Sequence, residues 1–263
     1  MTAHAVASLS ARFGTEVPPV LWTPPDPRRT VAPGPAARDE PELDADEASA
    51  LDVLAAPQVR IEARATGELD TRLCLARSGH LTARVVRAAG TATVDLPHCD
   101  GSADRLAALV APVLGSAPPA DPAVAASFPA EAGRAALRAG DAGEIGAALR
   151  AIGVDADAAR LIGRVFARSQ RSVECTLYAG GNRCATVVAV IDSPAGRVVV
   201  RTANEPGAGE WISVAEGSPH RIGRALRRAC EELPGGRLDA VTGDGARQPG
   251  AGRRCRHVRR EEL

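Results

Sequence analysis

GSADRLAALVAPVL (residues 101–114) and GSPHRIGRALRRAC (residues 217–230) align at a constant offset of 116 positions, and this self-match decides the fold. Gly, Ser and Arg recur in place. Apolar positions 106, 109, 110, 113 and 114 coincide with 222, 225, 226, 229 and 230, the i, i+3, i+4, i+7, i+8 stripe of an amphipathic helix that packs one face. Ser102 and Ser218 stand where an N-cap hydroxyl accepts from the first free amides, and Pro219 holds the favoured first helical position. Pro112 is expected to end or kink the first copy. The second, reaching Leu233 before Pro234-Gly235-Gly236, should be the longer.

Upstream of each helix lies the same series of short strands with period-two alternation. In the first half VRIEARA (59–65) is followed by TRLCLAR, HLTARVV and TATVDL; in the second, SVECTLY (172–178) is followed by CATVVAVI (184–191), RVVVRT and Glu210-Trp211-Ile212-Ser213-Val214. Gly79 and Gly196, with Arg84 and Arg201 five residues on, align at an offset of 117. Short turns between successive strands dictate antiparallel pairing, because parallel neighbours need long crossovers. The expected fold class is α+β: one mostly antiparallel sheet built from two pseudo-twofold-related β-β-β-β-α halves, about residues 58–114 and 172–233. Further helices are read from Leu43 to about Leu54, from Asp141 to Ala151, and from an Asp155 N-cap to Arg168, and they cover the sheet incompletely. Residues 24–42 and 115–132 are Pro/Ala-rich and read as loops. Residues 1–236 are expected to form a single domain, and 237–263 a disordered basic tail.

Composition narrows the function. The 263 residues carry 32 basic and 32 acidic side chains, so no general electrostatic attraction to nucleic acid or an anionic membrane is expected. Every basic residue is Arg, which excludes a P-loop lysine and a lysine Schiff base. Three Phe, two Trp and one Tyr cannot supply base-stacking platforms. MTAHAVASLSARFGT has no apolar run of signal-peptide length, and LAALVAPVL (106–114) is far short of a membrane span, so the expected location is the cytoplasm.

Reactive groups are scattered. The cysteines (Cys74, Cys99, Cys175, Cys184, Cys230, Cys255) form no C-x-x-C pair and have no His at ligand spacing, so they read as small buried hydrophobes, with no metal or cofactor expected. His98-Cys99-Asp100 resembles a nucleophile with its base, but sequence neighbours on an extended chain point to opposite faces. An enzyme with a noncontiguous site, using Cys99 with His98 or His220, is one reading; a structural or regulatory adaptor is another. Arg105 and Arg221 fall in the first helical turn, where the dipole disfavours a cation, and are expected to tie helix to sheet through a carbonyl or carboxylate. CATVVAVI is apolar on both faces, as in a covered central strand, or a sheet face left open for a partner.

SPAGRVVVR (193–201), the segment ending in Glu210-Trp211-Ile212-Ser213-Val214, and EGSPHRIGRALRRACEELPGG (216–236) resemble the C-terminal signature of EspG, the secretion-associated proteins of actinobacterial type VII (ESX) systems. EVPPVLWTPPDPRRT (16–30) and ELDADEASALDVLAAPQVRIEAR (42–64) are similar to the family's entry to its first strand and to its helix leading into the first long strand. The chain departs from the pattern in its Pro-rich stretch 31–41, in Pro112 and in its basic tail. The resemblance implies helical bundles flanking the sheet, and a cytosolic chaperone that shields the apolar tip of a secreted helical heterodimer (PE with PPE), as a monomer or weak dimer. A docking body of that kind needs an apolar patch with a polar rim and no nucleophile. The expected patch is Val187, Ala189, Ile191, Trp211 and Val214, rimmed by Arg197 and Arg201.

Overall fold

The computed structural model describes residues 20, 45–66, 71–88, 91–179, 182–205, 207 and 209–233, with 182–185 and 205 described by their backbone alone. The expectations for 24–42 and for the tail fall outside these residues. The strands are β1 (Val59–Thr66), β2 (Arg72–Ser78), β3 (Leu81–Ala88), β4 (Thr91–Asp95), β5 (Ala126–Pro129), β6 (Arg171–Ala179), β7 (Asn182–Ser193), β8 (Gly196–Glu205) and β9 (Gly209–Glu216). The helices are α1 (Ala45–Ala55), α2 (Ala103–Leu114), α3 (Ala130–Leu137), α4 (Ala142–Ala151), α5 (Ala156–Ala167) and α6 (Pro219–Glu231).

The nine strands form one sheet in the order β4-β3-β2-β1-β6-β7-β8-β9-β5, antiparallel at every step. Its seam is β1 against β6, the first strand of each repeat, paired from Val59↔Ala179 to Thr66↔Ser172. Alternation explains the main core. Val59, Ile61, Ala63 and Ala65 share a face with Val173, Cys175, Leu177 and Ala179, and the apolar stripes of α2 and α6 close over them.

The two repeated helices meet about the pseudo-twofold axis. Asp104 and His220, equivalent positions in the two copies, touch each other, with His220 Nδ1 at 3.1 Å from Asp104 Oδ1. A Cβ at Gly223 would collide with the backbone carbonyl of Ala103, and its equivalent in the first copy is the small, buried Ala107. Both caps form: Ser102 Oγ accepts from the Arg105 amide (3.2 Å) and Ser218 Oγ from the Arg221 amide (3.3 Å). The first-turn arginines tie each helix to the chain before it. Arg105 Nε donates to the His98 carbonyl, and Arg221 Nε donates to Glu216 Oε1 at 2.8 Å.

Two expectations about the repeats are corrected. Pro112 does not end α2, which runs on to Leu114 before Gly115 takes a φ of 63°. Proline falls in the last turn, where it removes one hydrogen bond, while Val113 and Leu114 are held in the core. The exposed carbonyls are then taken by cations: Arg171 donates to Val113 and Leu114, and Arg197 donates to Leu114 (2.6 Å) and Gly115 (3.2 Å). Arg197 also makes a two-pronged pair with Asp192 (2.5 and 2.8 Å), so one buried side chain joins the first-half helix to the second-half hairpin. The second correction concerns Gly79 and Gly196. Ser78↔Leu81 and Ser193↔Gly196 close the two hairpins at an offset of 115, with Gly79 inside its turn and Gly196 ending the turn built on Pro194-Ala195. Arg84 and Arg201 therefore stand two residues out of register with each other.

The opposite face carries two separate bundles. Leu51, Val53 and Leu54 of α1 pack on Cys74, Ala76, Ala83, Val85 and Ala92 of β2–β4. Ile145, Leu149, Ile162 and Val165 of α4 and α5 pack on Ile191, Val198, Ile212 and Val214. Residues 115–132 are not wholly loop: a 3₁₀ turn at Pro122–Val124, the edge strand β5 and the start of α3 lie there, with Phe128 as the buried anchor.

Two substitutions test this frame. Gly223→Leu forces α2 and α6 apart and should cost about 3 kcal/mol in urea unfolding, whereas the exposed Arg227→Ala should stay within about 0.5 kcal/mol. Arg197→Met leaves the Asp192 carboxylate with only the more distant Arg171 guanidinium, at 4.0 Å, and should cost about 3 kcal/mol; adding Asp192→Leu should recover part of that loss.

Candidate functional site

Between the two bundles the sheet is left partly open. On this face β1 presents Arg60, Glu62 and Arg64, β6 presents Glu174, Thr176 and Tyr178, and β7 presents Val187 and Ala189. Strand pairing sets them in rows. One row reads Val85, Cys74, Glu62, Thr176, Val187, and the next reads Arg87, Arg72, Arg64, Glu174, Ala189, Val200. Val85 and Cys74 at one end of the first row pass beneath α1, and Val200 at the far end of the second passes beneath the α3–α5 bundle; between them lies a strip whose side toward α1 is basic and whose side toward α4 and α5 is apolar. Arg64 and Glu174 are exposed, and Thr176, Tyr178, Val187 and Ala189 are half-buried.

The strip's charges differ in how they are held. The Arg60 guanidinium lies 4.8 Å from the centre of the Tyr178 ring and its Nε is 2.9 Å from Glu62. Glu62 is only 6% exposed, and burial pushes its carboxyl above the ordinary range, opposed by the Arg60 charge and the Val20 amide. Arg64 and Glu174 stand directly opposite each other in register yet make no ion pair among the described residues. Both are free to meet groups from outside.

The seven residues expected to form a patch do not converge. Val187 and Ala189 lie on the strip. Ile191 and Val214 are on the same face but buried beneath the α3–α5 bundle. Arg197 is the buried latch described above and forms no rim. Arg201 and Trp211 lie on the reverse face, the one that α6 covers, as their pairing with Val188 and Ala203 requires. The sequence reading missed Arg60, Glu62, Arg64, Glu174, Thr176 and Tyr178. A signal existed in VRIEARA, where every second side chain is charged on a strand that proves to be central.

The described cysteines are placed for packing. Cys74, Cys99, Cys175 and Cys230 are buried and free, and burial pushes the Cys175 and Cys230 thiols up to about 12. His220 faces Asp104 on the helical surface. Among the described residues no group of three or more His, Cys, Asp and Glu is arranged to hold a metal ion, and no helix is long and apolar enough to cross a membrane.

Comparison with known proteins agrees with this architecture. The structure of the Mycobacterium tuberculosis type VII secretion system chaperone EspG5 in complex with PE25-PPE41 dimer is similar, with a TM-score of 0.59 and 21% sequence identity over 71% of this chain and 78% of that chain. At that identity the likeness is one of fold. No curated protein matches the chain. The model of the EspG family matches residues 30–228, which take in the first repeat, both bundles, the strip between them and all of the second repeat but its last few residues, and the chain therefore belongs to the EspG family.

Proposed function

We propose that this protein is a chaperone of a type VII secretion system, and that it holds a PE/PPE-like helical heterodimer on the central strip of its sheet. The observation that carries the reading is the strip itself: a half-open sheet face between two helical walls, apolar at Val187 and Ala189 and charged at Arg64 and Glu174. The apolar tip of a helical bundle loses water against Val187, Ala189 and Thr176, while Arg64 and Glu174 fix its orientation through ion pairs made only in the complex. Family membership supports the reading, as does the neighbour described as a chaperone in complex with a PE25-PPE41 dimer.

The work is done by surface complementarity, with no covalent step and no cofactor, in the cytoplasm before export. The sheet, its two bundles and the α2/α6 layer act as one docking body within residues 1–236. An enzymatic reading would need an accessible thiol beside a base, and the burial of Cys99 does not favour that.

Ala189→Arg should weaken capture of a purified PE/PPE heterodimer at least tenfold, about 1.4 kcal/mol, in a titration by light scattering or calorimetry, with the melting temperature preserved. Trp211→Ala, on the reverse face, should leave the affinity unchanged; equal loss from both variants would overturn the placement. In a protein carrying Cys184→Ser and Cys255→Ser, Ellman's reagent should titrate no thiol until denaturant is added, and then all four. One fast-reacting thiol at Cys99 in the native protein would revive the enzyme reading.

A further inference from the structure

We infer a second docking groove on the reverse face of the sheet, one that takes an acidic protein segment carrying an aliphatic side chain. The groove runs along the outer flank of α6. Its floor is Val199 and Ala215 from β8 and β9 with Ala225 from the helix, and its walls carry Arg201, Arg221, Arg224 and Arg228 around a cavity of about 110 Å³. That volume suits one aliphatic side chain.

Charge decides the occupant. Arg201 is paired with Glu232, and Arg221 with Glu216 at 2.8 Å. Arg224 and Arg228 are exposed and have no ion pair or side-chain hydrogen bond among the described residues. Four guanidinium groups thus face one concavity with two carboxylates. The internal repeat supplies a control: at the equivalent positions of α2 stand Ala108 and Pro112, so the helix-on-sheet packing does not require arginine there.

Spacing favours a polypeptide over a small anion. Arg221 and Arg228 are separated by seven residues, about 10 Å along the helix, so their heads are matched by carboxylates several residues apart on one segment. The apolar floor between them takes the aliphatic side chain. The groove lacks an aromatic lining on which bases would stack. Because it lies on the face opposite the strip, both can be occupied at once.

The test uses the full chain and a dye-labelled 12-residue peptide of glutamate and alanine with one central leucine, read by fluorescence polarisation. Saturable binding is expected, weakening with salt and lost when the glutamates become glutamines. Arg224→Glu with Arg228→Glu, and separately Ala225→Leu, should each weaken it at least tenfold while capture of the PE/PPE heterodimer is unchanged. Because both arginines are exposed, the charge reversal should leave the fold intact, checked by its melting curve. Absence of binding, equal binding of the glutamine peptide, or full affinity in the charge-reversed protein would overturn the inference. So would displacement of the peptide by inorganic phosphate or oligo-dT more readily than by unlabelled peptide, which would mark a general anion surface.

Discussion

The arrangement of the molecule hangs on the close approach of α2 and α6, where Gly223 lets one helix rest against the backbone of Ala103 in the other. Two helices that touch at this distance can share one face of a sheet. Their apolar stripes then cover both seam strands at once, and the long run of β1 and β6 side chains from Val59 to Ala179 becomes a single dry layer. Once that face is filled, α1 and α3–α5 have only the other face on which to bury their own stripes. Each settles over the outer strands of its own half. The strip along the seam is what this division leaves uncovered, so the proposed binding face is a consequence of the helix contact on the side away from it.

The twofold relation is informative where it fails. In the second half Asp192 stands opposite Arg197 on the β7–β8 hairpin; at the equivalent place on β2–β3 Arg77 stands opposite Thr82. The same two places therefore hold a carboxylate opposite a guanidinium in one copy and a guanidinium opposite a hydroxyl in the other. The pair has a specific load, since Arg197 and Arg171 together hold the end of α2, whose carbonyls would otherwise point into a buried junction. The first-half helix is thereby fixed to the second-half hairpin, and the seam is joined by side chains as well as by strand pairing. A duplicated fold whose halves were held by strand pairing alone would lack this side-chain clasp.

Period and cap chemistry made most of the frame legible. Alternation located all eight strands of the repeats, and the serine caps located α2 and α6, because those signals are local and agree with one another. Strand β5 and α3 escaped because four residues of ASFP and an Ala-rich turn carry no period; they are specified by Phe128 reaching a core made by distant elements. The site was only half legible for a related reason. Alternation assigns Val187, Ala189 and Ile191 to one face, but whether that face is covered depends on residues 130–167, some tens of positions away. Ile191 lies under the bundle and Ala189, two residues earlier, does not. Arg197 misled in the same way, since an arginine in a strand reads as a surface group until its partners, Asp192 and the end of α2, are known.

The strip's composition is not what stability alone would select. Three arginines, Arg87, Arg72 and Arg64, stand directly opposite one another across three strands, an arrangement that disfavours pairing. Beside them Glu62 is buried with its carboxyl raised, chiefly because burial penalises the charged form. The sign of that effect is definite. Above an ordinary carboxylate value of 4.5 the unfolded chain releases this proton before the folded one does, so Glu62 draws stability down as pH rises through the interval up to its folded value. An apolar residue at 62 would pack under the same roof without that cost. Opposed charges kept on this half-open part of the sheet fit the proposed recognition role, where a charge is worth most when a partner's arrival removes the remaining water.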